Sequence, residues 1–98
     1  MTILKKQDDK TLYLALAGHL DTLSAPQLEA ELKSSLDGAD SLVLDLADLD
    51  YISSAGLRVL LSAHKAMAGK GDMKVTNVND IVSEVFEVTG FSDILTIE

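Results

Sequence analysis

Three features of the sequence predict an α/β domain built on a mixed sheet of four to five strands. Segments with apolar period two alternate along the chain with longer segments at helical spacing, in the order β-β-α-β-α-β-α-(β). The borders between them carry turn and capping residues. The 98 residues, 47% of them apolar, suit one domain spanning residues 1–98. Strands that alternate with helices imply parallel crossovers beside an initial hairpin.

The first strand is expected at Thr2-Ile3-Leu4-Lys5-Lys6, followed by a polar turn at Gln7-Asp8-Asp9-Lys10. In Thr11–Ala17, Leu12, Leu14 and Leu16 alternate with Thr11, Tyr13 and Ala15, as in a half-buried strand paired with the first. Gly18-His19-Leu20-Asp21 ends it. Ser24 and Gln27 have capping-box spacing, and Pro26 suits a first helical turn. This helix carries Leu28, Leu32 and Leu36 on one face and stops at Asp37-Gly38-Ala39-Asp40, with Gly38 as a left-handed cap. Ser41–Leu46 is nearly continuously apolar, which predicts a central strand covered on both faces. A second helix follows Ser53-Ser54 and runs to about Met67, with Leu57, Leu60, Leu61 and His64 at helical spacing. Gly69-Lys70-Gly71-Asp72 ends it, and Met73–Thr76 is a short fourth strand. Asn79 or Asp80 caps a third helix through Ile81, Val82, Val85 and Phe86. Gly90 is its C-cap, Phe91 packs back on the last turn, and Ile94–Ile97 is a terminal strand or an extended tail.

Composition excludes several function classes. Without cysteine there is no disulfide, thiolate or cysteine–zinc chemistry, and the chain fits a cytoplasmic setting. A net charge of −8 with scattered basic residues argues against nucleic acid. The N-terminus lacks a long apolar core of the signal-peptide kind, and no apolar run approaches a membrane span, so membrane insertion is not expected. No cofactor or metal motif is present: two lone histidines make no H-E-x-x-H. Asp45, Asp48 and Asp50 lack the glycine-centred calcium loop and read as a solvated acidic rim.

The stretch that organises the chain is Asp50–Leu61, where a strand region meets the second helix. A serine at a helix start lies where backbone N–H groups lack partners and positive potential favours an anion. One serine suffices as an N-cap, worth about 1 kcal/mol. The second is then spare on the first turn, which suits a phosphorylation switch on a protein-binding module. A catalytic serine does not fit, and no catalytic residue is expected. The first glycine of a G-x-S-x-G elbow centred on Ser54 is replaced by Ile52, and His64 lies ten residues along the same helix, about 1.5 Å per residue, out of reach as a base.

These residues resemble the STAS family, specifically its stand-alone bacterial anti-sigma factor antagonists. The resemblance rests on Gly18-His19-Leu20-Asp21, on Leu42–Leu46 followed by Leu49-Asp50-Tyr51-Ile52, on Ser53–Leu61, and on Thr89-Gly90-Phe91. It implies a sheet with helices packed largely on one side. It also implies a partner, an anti-sigma factor with serine kinase activity, that is bound by the unphosphorylated antagonist so that the sigma factor is released. Phosphorylation on Ser54, with Ser53 as second candidate, switches binding off, and a metal-dependent serine phosphatase restores it. The implied docking surface comprises Asp21, Ser53, Ser54, Gly56, Leu57 and Arg58. Ser53 stands where many members have aspartate, and Arg58 where well-studied members have glycine. The alternative is a non-enzymatic STAS module of a transporter or sensory complex, with Ser54 as a contact or helix cap.

Overall fold

The computed structural model describes residues 1–98. Strand β1 (Thr2–Asp8) turns through Asp9-Lys10 into β2 (Thr11–Leu20). Then follow α1 (Ala25–Ser35), β3 (Ser41–Ile52), α2 (Ser54–Met67), β4 (Asp72–Thr76), α3 (Asp80–Thr89) and β5 (Thr96–Ile97). The strands lie in the order β1-β2-β3-β4-β5, β1 antiparallel to β2 and every later pair parallel. Of the terminal segment Ile94–Ile97, only Thr96–Ile97 is a strand. Because each crossover steps to the next strand in the same direction, a constant right-handed sense puts all three helices on one face.

The core follows from that arrangement. Leu12, Leu14 and Leu16 of β2, Leu42, Leu44 and Leu46 of β3 and Met73 and Val75 of β4 point under the helices and are buried. They meet Leu28 and Leu32 of α1, Val59, Leu60 and Ala63 of α2, and Val82 and Phe86 of α3. The opposite face carries no helix: Tyr13 is exposed and Val43 and Asp45 are half-buried. The expectation that β3 is covered on both faces is corrected here; its apolar run reflects a central position with one roofed side. Edge strand β1 is exposed except at Ile3, and it carries Lys5, Lys6 and Asp8.

Strands β2 and β3 run further than their apolar alternation indicates, to Leu20 and Ile52 instead of Ala17 and Leu46. The reason is visible in the register. Ala15 pairs with Asp45 but Ala17 with Asp48, and Gly18 pairs with Leu49 but His19 with Tyr51. Strand β3 thus carries two extra residues as bulges. Each lengthens the spacing of its buried residues from two to three, giving Leu42, Leu44, Leu46, Leu49 and Ile52.

Helix ends divide between expectation and correction. Gly90 is left-handed (φ 84°) at the end of α3, and Phe91 stacks on Phe86 with ring centroids 6.4 Å apart. Asn79, not Asp80, caps α3: its side chain accepts from the Val82 N–H at 2.9 Å and donates to the Leu49 carbonyl at 2.6 Å. Gly38 is not a left-handed cap; α1 instead tightens into a 3₁₀ turn at Leu36–Gly38. The Ser24–Gln27 capping box does not form, because Ser24 has helical backbone angles and its hydroxyl bonds toward the strand end.

Helix α2 sits on the strand ends through Gly56. A β-carbon there would lie 2.7 Å from Leu20 Cγ and 3.0 Å from both Ile52 Cγ1 and the Leu20 carbonyl oxygen. Substitution Gly56→Ala is expected to destabilise the fold by about 1 kcal/mol. Overpacking of about 1–3 kcal/mol is only partly offset by roughly 1 kcal/mol of helix propensity. A lower urea midpoint at unchanged m-value checks it; a midpoint at or above wild type contradicts the close packing.

Candidate functional site

The two loops that leave parallel strands β2 and β3 for helices meet at one end of the sheet. Leu20 and Ile52 are in register, and the Ser53 N–H donates to the Leu20 carbonyl at 2.9 Å. Asp21 and Ser53 are therefore the next positions along two adjacent chains.

Ser53 is the N-cap of α2. Its backbone is extended (φ −98°, ψ 176°), its carbonyl accepts the Leu57 N–H at 2.9 Å, and its hydroxyl accepts the Gly56 N–H at 3.5 Å. Ser54 is the first helical residue. Its side chain is exposed, and its hydroxyl is engaged by no other group of the chain. The two serines thus divide as their spacing suggests, one occupied in capping and one spare.

Asp21 has a structural task of its own. Its Oδ1 accepts from the Leu23 N–H at 3.0 Å and the Ser24 N–H at 3.1 Å. Ser24 Oγ accepts the Asp21 N–H at 2.9 Å and lies 2.7 Å from the His19 carbonyl. Asp21 therefore supplies the side-chain acceptor of the turn that leads into α1, whose own N-terminus has no side-chain cap. The Ser24 amide, ahead of the Ser24 hydroxyl, the Leu23 amide and the charge of His19, holds the Asp21 carboxyl below the ordinary aspartate value, against an opposing desolvation.

Of the residues expected on the docking surface, Ser54 and Arg58 are exposed and Asp21 and Ser53 are half-buried. Gly56 and Leu57 are buried. Both face the core, where the inward side of α2 covers Leu20 and Ile52, and they seat the exposed pair.

Three exposed residues of this surface were not picked out by sequence reasoning. His19 and Tyr51 pair across β2 and β3 as an edge-to-face couple, ring centroids 5.9 Å apart. Leu23, at the tip of the Asp21 turn, is 90% exposed. Only the bulged register brings His19 opposite Tyr51; unbroken alternation from Ala15 and Asp45 would have paired His19 with Leu49. His64 is half-buried near the C-terminal end of α2, remote from Ser54 along the helix. Asp45 accepts from the Ala47 N–H at 3.0 Å and from Asn77 Nδ2 at 3.1 Å, so part of the acidic rim is tied to the first bulge of β3 and to the segment that follows β4.

A family model described as "Mlab, STAS domain" matches residues 3–96. BtrV of Bordetella bronchiseptica is 40% identical over 99% of the chain and 85% of that relative. The anti-sigma-B factor antagonist of Bacillus subtilis is 30% identical over 94% of the chain and 85% of its own length. Among solved structures, the unphosphorylated anti-sigma factor antagonist SpoIIAA aligns with a TM-score of 0.79 at 16% identity, over 99% of this chain and 87% of that one. The phosphorylated Bacillus SpoIIAA aligns at 0.78 and 17% identity, over 99% and 91%. No helix of the chain is long and apolar enough to cross a membrane.

Ionised Asp21 is the form that the two amides stabilise. With its folded pKa below the unfolded value, it contributes stability that is fully present above the unfolded pKa and is lost as pH falls through the folded one. Wild type is therefore expected to exceed Asp21→Asn in urea midpoint at pH 7, and the gap is expected to close as pH is lowered below about 4. A gap that persists or widens in acid contradicts this assignment.

Proposed function

The chain belongs to the STAS domain family, and from that premise we propose that it is an anti-sigma factor antagonist switched by phosphorylation of Ser54. In this reading the unphosphorylated chain binds an anti-sigma factor that is also an ATP-dependent serine kinase, and so releases the sigma factor. The observation that carries it is the exposed, unengaged hydroxyl of Ser54 on the first turn of α2, beside a serine already committed to capping. The named function of the Bacillus subtilis relative supports the partner class.

The chain is the substrate of this chemistry, not its catalyst. Ser54 Oγ attacks the γ-phosphorus of ATP, the bond to ADP breaks, and the hydroxyl proton leaves to a base of the kinase. A metal-dependent serine phosphatase then returns the hydroxyl by hydrolysis. At the N-terminus of α2 the new group, about −1.5 to −2 in charge, meets favourable potential and does not unfold the helix. The near-equal fit of the chain to unphosphorylated and phosphorylated SpoIIAA supports a switch that keeps the fold.

Binding responds differently. A phosphate buried against a partner surface without matching cations costs several kcal/mol, and each 1.4 kcal/mol is about tenfold in affinity. The proposed footprint comprises Asp21, Ser53, Ser54 and Arg58 together with His19, Leu23 and Tyr51. Gly56 and Leu57 support it from below.

Incubation with the cognate kinase and ATP is expected to add one phosphate at Ser54, located by mass spectrometry, and none to Ser54→Ala. Ser54→Asp is expected to weaken partner binding at least tenfold at an unchanged unfolding midpoint. Modification at Ser53 alone, or equal binding by wild type and Ser54→Asp, overturns the proposal. So does an NMR footprint on the outer face of α1.

A further inference from the structure

We propose that Arg58 is the intramolecular partner of the Ser54 phosphate, an inference that rests on the reading of Ser54 as the modified residue. The two residues are four apart on α2 and both exposed. Side chains at that spacing are neighbours on one helix face, with β-carbons about 5–6 Å apart, and helical side chains lean toward the N-terminus. Arg58 therefore leans toward the position of a phosphate on Ser54, and its planar fork suits two phosphate oxygens at once.

Arg58 is also free for the task. Lys5, Lys10, Lys33 and Lys74 each lie within 4.0 Å of a carboxylate, on Glu31, Asp40, Glu29 and Glu98, whereas Arg58 makes no ion pair. It is the only arginine of the chain, and the next cationic residue along α2 apart from His64 is Lys65 in the last turn. The other charged groups toward this end of the sheet are Asp21, Asp50, Asp80 and the N-terminal ammonium on Met1, which lies beside Gly18, together with the ionisable rings of His19 and Tyr51.

The same spacing separates the two serines. Four residues after Ser53 stands Leu57, which is buried, so a phosphate on Ser53 has no cation at that position. Phosphorylation of Ser54 then changes two groups at once: it adds an anion and draws the Arg58 guanidinium away from any acidic group of the docked partner.

The test uses the full chain with phosphoserine installed at position 54 by genetic encoding, so that no kinase is needed. The second phosphate pKa is read from the pH dependence of the ³¹P resonance. It is expected to be lower by roughly half a unit in the Arg58-containing protein than in Arg58→Ala, with Arg58→Lys in between. With phosphoserine at position 53 in a Ser54→Ala background, Arg58→Ala is expected to leave it unchanged. Unfolding midpoints of the variants establish that each is folded. An equal Ser54 phosphate pKa in wild type and Arg58→Ala overturns the pairing, as does an equal dependence on Arg58 at position 53. Failure of the kinase to modify Ser54 would instead remove the premise, and that is read separately by mass.

Discussion

The Ser53 N–H to Leu20 carbonyl hydrogen bond, 2.9 Å long, holds the working end of the molecule together. It is the last link between β2 and β3 before both chains turn into helices. Because of it, the Asp21 turn and the first turn of α2 share one surface, although they lie some thirty residues apart in sequence. Every other element of the site depends on that link. Gly56 brings α2 close to Leu20, Asp21 fixes the adjoining turn, and Ser53 has its hydroxyl left to cap Gly56.

The fold was legible where one physical preference acted alone. Leu12, Leu14 and Leu16 alternate because β2 faces a roof on one side, and Gly90 ends α3 because glycine, lacking a β-carbon, adopts the left-handed angle at little cost. Legibility failed where two preferences competed. The bulges of β3 change its buried spacing from two to three, so a reading by alternation stops at Leu46 while the strand continues to Ile52. Ser24 has the right spacing for a capping box, but its hydroxyl donates to the His19 carbonyl, and its own amide, with that of Leu23, is taken by the Asp21 carboxylate three residues earlier. Gly38 follows a helix yet needs no positive φ, since a 3₁₀ turn already satisfies the end of α1.

The site shows the same division. Ser53, Ser54 and Arg58 could be read from local sequence, because capping and helical phase are short-range properties. His19 and Tyr51 could not, because their pairing depends on the number of extra residues in β3. Gly56 and Leu57 lie within the motif that marks the site, but they are there because α2 must pack closely. A motif in sequence therefore mixes exposed residues with buried ones that hold them in place, and burial separates the two groups.

The exposed first strand carries a consequence for how such a domain can be approached. Lys5, Lys6 and Asp8 along β1 make a charged border, and at the opposite border β5 is only two residues long. Neither offers a long, flat, uncharged row of backbone groups to a further strand. Sheet extension by an incoming chain is thereby discouraged at both borders, which leaves faces and strand tips, not sheet edges, as the surfaces open to another protein.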